Sequence, residues 1–339
     1  MSKKITLLCI TCLCFSLSSL AQIKGLYSGE HKFDPKYIES FSDSLILKLA
    51  VVQKFTRFEI EDTFSKNRIE FSPNKDISIG AGFQYKWLGL TFTYKMPGVN
   101  NDDDKFGETT QFDLQASLYL RKFVVDFNLH RYQGFYIDNP RKLYPDRLNS
   151  DPYPQRDDLT TTFIGSDVLY IFNNKKFSYR AAFIQNELQK RSAGSFILGA
   201  YFSRLQIKSE GNIISPELEN LFSKEVHFNQ ANYSNYGISV GYAHTFVIKK
   251  KFFVSISPSI GAAVQHSRIV NVDPALNTTK TELAPKIFSR MSAGYHWRKY
   301  FVVATLQVDN FLLNKTEHIE MAYSVGNVRF FIGRKFNIN

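Results

Sequence analysis

The chain has 339 residues, 42 basic against 31 acidic side chains for a formal charge of +11, 15% aromatic residues and three cysteines. Its mean hydropathy is -0.23, and past the first twenty-odd residues no stretch nears the roughly 18 consecutive apolar residues that a membrane-spanning helix needs. Helical spans are thereby excluded but β-spans are not, because a barrel strand shows lipid only every second side chain and averages out near the hydropathy of a soluble protein.

Residues 1–21 read as a secretory signal peptide. Lys3 and Lys4 precede an apolar run from Ile5 to Leu17, and Ser19-Leu20-Ala21 places small residues where cleavage occurs. All the cysteines, Cys9, Cys12 and Cys14, fall inside this segment. The exported chain is therefore expected to carry no disulfide, thiolate metal site or cysteine nucleophile. Loss of Lys3 and Lys4 leaves a net charge of about +9. For an exported protein, this points to anionic membrane lipids and lipopolysaccharide as neighbours, and not to nucleic acid.

Residues 22–43 follow as a short periplasmic leader, and residues 44–339 as one barrel domain. In the first strand, near 45–60, Leu45, Leu47 and Leu49 give way to Phe58 and Ile60. From Ile77 the alternation is clean: Ile77, Ile79, Ala81, Phe83 and Tyr85 share one face against Ser78, Gly80, Gly82 and Gln84. After a reversal at Lys86-Trp87, Leu88, Leu90, Phe92 and Tyr94 do the same. Period-two alternation on both sides of a short turn is a hairpin. A second hairpin runs from Thr109 to Tyr132 around Arg121-Lys122. Further strands are expected at 160–172, 177–188, 195–207, 235–248, 252–265, 286–297, 301–312 and 321–336. Many are about 10 residues or longer, the length of a tilted bilayer crossing.

The short turns, among them Lys249 to Lys251 and Arg298-Lys299-Tyr300, are basic and ringed by aromatics. Short turns belong to the periplasmic rim and long connections to the outside. The long connections are 61–75, 97–108, 134–158, 266–285 and 313–320. Barrel strands come in even numbers, and the spacing of basic turns doubles between Lys175 and Lys250. The reading therefore places an inner turn at Ser209 to Asn212 and a hidden strand between Ile213 and Phe228. The expected fold is an all-β antiparallel transmembrane β-barrel of 12–14 strands, fourteen first and twelve second. The last strand, with Phe330, Ile332 and Phe336, is similar to the aromatic-terminated strand read by the outer-membrane barrel assembly machinery, a partner it implies.

Several stretches together, SDSLILKL, RIEFSPN, YKWLGLTFTY, RKFVVDF, FSYRAAFIQNELQKRSAGSFILG and IKKKFF, resemble a family of uncharacterised bacterial proteins, domain of unknown function 4421. The similarity runs from about Tyr37 to the end and is most specific over Phe177 to Gly199. It implies an outer-membrane-type β protein and brings no reaction, ligand or catalytic residue.

Among groups that can carry chemistry, Asp113, Asp126, Asn128, His130, Arg180, Arg290 and His296 fall on polar faces. They read either as an acid/base site in the lumen or, preferably, as a network of paired charges filling a narrow barrel. His266-Ser267 lacks the context of a phospholipase-like barrel and reads as a solvated loop. Asp102-Asp103-Asp104 lacks the spaced ligands of a calcium loop. In the loop from Gly134 to Asp158, Tyr136, Arg141, Tyr144, Arg147, Tyr153 and Arg156 read equally as an extracellular binding surface or as a loop folded back over the mouth. No Gly-rich phosphate loop, His-Glu-x-x-His or Gly-x-Ser-x-Gly occurs, and neither a cofactor nor a metal is expected. The sequence thus points to a non-enzymatic outer-membrane barrel, a narrow channel or a structural and binding protein of the cell surface. The alternative is a barrel enzyme acting on lipid, lipopolysaccharide or protein through His130, His266 or His296.

Overall fold

A computed structural model describes residues 33–337 except 86–87, 97–98, 100–101, 149–150 and 316–317. The expected signal peptide and the start of the leader lie outside the described residues. The strands are β1 Ile38–Ser40, β2 Ser44–Asp62, β3 Arg68–Ser72, β4 Ile77–Tyr85, β5 Leu88–Lys95, β6 Thr110–Tyr119, β7 Phe123–Ile137, β8 Gln155–Ile171, β9 Glu187–Gln189, β10 Ala193–Lys208, β11 Phe228–Ile248, β12 Phe252–Asn271, β13 Thr278–Trp297, β14 Tyr300–Lys315 and β15 Ile319–Asn337.

These strands build an antiparallel β-barrel. Its first and last long strands pair along their whole lengths, from Ile319 opposite Asp62 to Asn337 opposite Ser44. From β15 the wall runs through β14, β13, β12, β11, β10 and β8 to β7, and β3 bridges β7 back to β2, closing a ring of ten strands. Nearer the short-turn end the β4–β5 hairpin hangs from β2, and β6 hangs from β7. The sheet as a whole therefore has thirteen strands.

The side chains that the sequence marks as greasy face outward. Leu47, Leu49 and Val51 on β2, Ile238 and Val240 on β11, Val254, Ile256 and Ile260 on β12, and Val328, Phe330 and Ile332 on β15 are all exposed large hydrophobics. Continuous outward apolar rows on a closed sheet are what a hydrocarbon layer requires. Aromatics such as Trp297 and Tyr300, stacked at 5.3 Å, mark the short-turn rim, where amphipathic rings suit the headgroup layer. At that rim Lys249, Lys250 and Arg298 adopt positive φ angles of 50°, 60° and 53°, the left-handed geometry that tight hairpins demand.

At the long-loop end the strands run on beyond the apolar belt, and the polarity of their two faces reverses. On β2 the outward positions become Arg57, Glu59 and Glu61 while Phe58 and Ile60 point inward, fully buried. On β12 outward Ile260 and Val264 are followed by His266 and Arg268, with Ile269 inside; on β15 Met321, Tyr323 and Val325 are inside. The projecting part therefore has a water-type core. Phe58 stacks on Phe71 at 4.8 Å and meets Phe135 edge-on at 5.6 Å.

Two expectations are corrected here. Residues 209–227, expected to hold a periplasmic turn and a hidden strand, instead form two 3-10 turns, Pro216–Leu221 and Lys224–Val226, at the long-loop end. Their apolar residues Ile213, Ile214, Leu218, Phe222 and Val226 are buried in the apolar core of the projecting part. Proline at the first helical position and hydrophobes spaced for a cap explain why this text is poor for a strand. Residues 177–188 are likewise not a wall strand. They fold as a short helix, Tyr179–Phe183, N-capped by Ser178, whose hydroxyl accepts a hydrogen bond from the Ala181 amide at 2.9 Å, and then enter β9. β9 pairs with β1 of the N-terminal segment. With neither segment in the wall, the ring closes with fewer strands than fourteen or twelve.

Candidate functional site

The interior is stacked in three layers. At the long-loop end the apolar core just described fills the barrel beneath the 209–227 cap. In the middle, charged side chains reach across the lumen. At the short-turn end the insertion 172–192 and the N-terminal segment form a plug.

The middle layer is built by register. Strands β7 and β13 face each other across the barrel, and their inward residues Asp126 and Arg290 form a fully buried ion pair. Asp126 also accepts a hydrogen bond from Ser117 Oγ at 2.6 Å. One level nearer the cap, Lys286 of β13 bridges Asp167 of β8 at 2.7 Å and Asp309 of β14 at 3.2 Å, under the rings of Tyr201 and Phe311. Lys54 of β2 meets Asp113 of β6 at 2.7 Å, and Asp113 accepts the Tyr132 hydroxyl at 2.9 Å. These bridges satisfy charges that would be costly alone in a narrow, weakly hydrated interior.

The plug is tied down as firmly. Glu187 of β9 pairs with Arg121 of the wall and accepts from Ser178 Oγ at 2.5 Å. Gln189 receives the Ser178 amide at 3.0 Å and donates to the Lys176 carbonyl at 2.7 Å. The Tyr179 hydroxyl meets Ser257 Oγ on β12 at 2.6 Å, and the ring lies beneath Arg290. The helix of the plug thus touches the ionic layer directly.

The residues singled out from sequence divide among these layers. Asp126 and Arg290 meet; Asn128 and His130 lie on the same inward face of β7, with His130 Nε2 3.8 Å from Asp113 and its ring against Phe163. Arg180 sits in the plug helix, beside Asn186 and Glu187. His296 lies near the short-turn rim between Phe253 and Phe301, 3.3 Å from Lys335 Nζ. Sequence reasoning missed Asp167, Lys286, Asp309, Arg121 and Glu187. Lys286 and Asp309 stand at inward positions of expected strands, so period-two phase could have found them; Arg121 and Glu187 belong to a turn and an insertion without phase.

The three candidate histidines do not converge. His266 is outward on the projecting part, 3.0 Å from Thr281, while Ser267 points into the wall's buried face. Among the described residues no group of three or more His, Cys, Asp or Glu side chains is placed to hold a metal ion. In the 134–158 connection, Tyr136 and Tyr153 both pack on Phe106, at 4.9 and 4.8 Å. Arg156 grips Asp158 through two nitrogens and donates to the Ile213 and Asn212 carbonyls at 2.6 and 3.0 Å. Tyr144 packs on the apolar core, Arg147 donates its amide to the Tyr144 carbonyl at 3.2 Å, and Arg141 is exposed. Most of this loop is thus folded back onto the cap.

Carboxylates outside the membrane belt lock that cap. Asp62, at the end of β2, is buried, which alone would raise its pKa. The amides of Ser223, Phe64 and Ser65, at 2.6, 2.9 and 3.2 Å, outweigh this and hold it below the ordinary aspartate value. Asp158, on the projecting start of β8, is held low by the Arg156 guanidinium, against some burial, and by the Glu210 amide at 3.0 Å.

One cavity of about 380 Å³ remains between the layers, on the side of β2, β5, β6 and β15. Its floor includes Phe183, Ile184 and Asn186 of the plug, and its walls include Lys48, Lys54 and Arg329. That volume lies within the range of small-molecule sites, roughly 300–1,000 Å³.

The sequence matches the model of the family Domain of unknown function (DUF4421) over residues 32–336. The chain belongs to this family. No curated protein matches it. Among solved structures, the outer membrane protease OmpT from Escherichia coli is 8% identical, over 88% of this chain and 98% of that one, with a TM-score of 0.38. The translocator domain of autotransporter NalP from Neisseria meningitidis is 9% identical, over 97% and 99%, with a TM-score of 0.32. The toluene transporter TodX of P. putida is 8% identical, over 88% and 91%, with a TM-score of 0.23. This DUF4421 protein is a closed antiparallel β-barrel with an apolar outer belt.

Proposed function

We propose that this DUF4421 barrel is a non-enzymatic binding and structural protein of the bacterial outer membrane, and not a diffusion channel. The observation that carries the reading is the stack of three closures along the lumen: apolar core, transverse ion pairs including Asp126–Arg290, and plug. Ions do not cross a dry apolar core without hydration. The short-turn rim, with the start of β2 and the end of β15, faces the periplasm in this reading, the capped projecting part faces outside, and lipid and lipopolysaccharide surround the belt. The chain is expected to arrive by signal-directed export and to be inserted by the barrel assembly machinery through β15.

A non-enzymatic role is supported by the separation of His130, His266 and His296 and by the exposure of the His266–Thr281 pair, which no third group orients among the described residues. The test is a planar bilayer holding the purified full chain, with folding checked by heat-modifiable gel mobility. The expected result is no steady conductance; a steady ohmic conductance of the folded protein would overturn the sealed reading.

A further inference from the structure

Among the described residues, the wall between β2 and β7 is continuous only where β3 bridges them. Below β3, β5 pairs only with β4 and β6 only with β7; among the described residues no ladder joins β5 to β6. Their outward residues Phe92 and Tyr94 on β5, and Phe112 and Leu114 on β6, are exposed apolar side chains of the belt. At the long-loop end the two strands are clasped by Asp76, which pairs with Lys95 at 2.8 Å and accepts from Gln111 Nε2 at 2.9 Å. Away from the clasp the edges are free, and the 380 Å³ cavity is lined by the lumen-facing Thr91, Thr93 and Gln115 and also by the lipid-facing Phe92 and Leu114. The cavity therefore reaches the bilayer side through the wall. Unpaired backbone at this depth is tolerated where it borders a polar cavity, and Thr91, Thr93, Gln115 and Ser117 supply that border.

The charge inside is one-sided. Lys54 is matched by Asp113 and Arg290 by Asp126. Lys48 and Arg329, on paired strands β2 and β15, have no carboxylate within ion-pair distance among the described residues. Arg329 donates to Gln115 Oε1 at 2.5 Å, and Lys48 lies 5.7 Å from the centre of the Phe331 ring. Gly82 packs closely against β5 and Lys48: an added Cβ would come within 2.5 Å of Thr91 Oγ1, 2.8 Å of the Leu90 carbonyl oxygen and 2.9 Å of Lys48 Cε. Two cations without an ion-pair partner among the described residues, in a semi-enclosed space, favour an anionic group.

We propose that the β5–β6 slot is a lateral mouth through which the cavity takes an anionic lipid from the membrane, its phosphate between Lys48 and Arg329 and its acyl chain along Phe92 and Leu114. This rests on the sealed-lumen reading, because cap and plug leave the membrane side as the route in. The full chain, refolded into vesicles of phosphatidylethanolamine with phosphatidylglycerol, would be released and weighed by native mass spectrometry for retained phospholipid. The expected result is selective retention of phosphatidylglycerol over phosphatidylethanolamine, reduced about tenfold or more in Lys48→Gln/Arg329→Gln and unchanged in Arg204→Gln on the outer surface of the projecting part. Heat-modifiable mobility identifies variants that fold, and Arg329→Lys, which keeps the charge, should restore much of the retention.

Equal retention of both lipids, or loss in Arg204→Gln alone, would overturn the proposal. So would displacement of the lipid by millimolar inorganic phosphate, which would assign the cations to a solute from water. Retention absent from a non-conducting barrel sinks the lateral mouth alone, whereas steady conductance sinks the sealed-lumen reading itself.

Discussion

The two ends of this barrel use one strand register for opposite purposes. In the membrane belt, β2 shows Leu47, Leu49 and Val51 to the outside and Lys48 and Lys54 to the lumen; in the projecting part the same strand shows Arg57, Glu59 and Glu61 outside and buries Phe58 and Ile60. β12 and β15 change over in the same sense. On β2, β12 and β15 the parity of inward and outward positions does not slip, since a one-residue slip would turn every side chain to the wrong face. What changes is the solvent. Hydrocarbon surrounds one region and water the other, and the apolar face turns toward lipid in the first and toward the core in the second. The belt is held by lipid outside and ion pairs inside, the projecting part by ordinary hydrophobic burial.

The comparison is broken most forcefully inside the belt. Arg290→Met would leave Asp126 buried without its partner at a cost of about 3–5 kcal/mol, whereas Asp126→Leu/Arg290→Met should lie near wild type or above it. Urea titration of heat-modifiable mobility in vesicles measures both. A double variant as damaged as the single one would mean that the pair does more than neutralise itself.

On the outward face the test is a matched pair on one strand. Val240 and Ser234 share the outer face of β11, one in the belt and one beyond it. Val240→Arg should cost about 2–4 kcal/mol if it lies near the bilayer midplane, while Ser234→Arg should stay within about 0.5 kcal/mol as an ordinary surface change. Equal costs in the same titration would place the belt boundary elsewhere. In the plug, Ser178→Ala removes the helix cap, worth about 1 kcal/mol, together with the hydroxyl donated to Glu187, and should cost about 2–3 kcal/mol. Its readout is faster hydrogen exchange at the Ala181 amide with the wall strands unaffected.

How much of this was legible depended on whether a segment obeys a period. The hairpin from Ile77 to Tyr94 and the strands from 235 onward announce themselves because lipid enforces alternation residue by residue. The change on β2 from Leu45, Leu47 and Leu49 to Phe58 and Ile60 was visible as a switch of parity, but its meaning needs the third dimension, since a sequence does not say where the bilayer stops. For the same reason the strands extend past the expected boundaries, β12 to Asn271 and β13 from Thr278, inside a stretch read as the loop 266–285. The plug misled because Phe177, Tyr179 and Ala181 alternate like a strand while Ser178 caps a helix. The cap at 209–227 misled because the even-number rule demanded a strand there, and β3, hidden in an expected loop, closes the ring instead. Of the interior chemistry, Asp126 and Arg290 were readable as inward polar residues. That they meet follows only from β7 and β13 facing each other across the closed barrel.

The gentlest probe of the same contrast is acid, because the projecting part is tied by carboxylates outside the lipid, whereas the belt has no such dependence on its outer face. Asp62 and Asp158 have folded-state pKa values below their unfolded ones. Their contribution is therefore fully present above the unfolded value of about 3.9 and is lost as pH falls through the lower folded values. Amide protection at Ser223 and Glu210, corrected for intrinsic exchange, should stay level from neutral pH to about 5 and fall below about 4, while amides of β12 in the belt hold theirs. Asp62→Asn should reproduce the loss at Ser223 at neutral pH and leave Glu210 protected through Asp158. Protection at Ser223 that rises on acidification, or that is indifferent to Asp62→Asn, would show that Ile213, Leu218 and Phe222 hold the cap by burial alone.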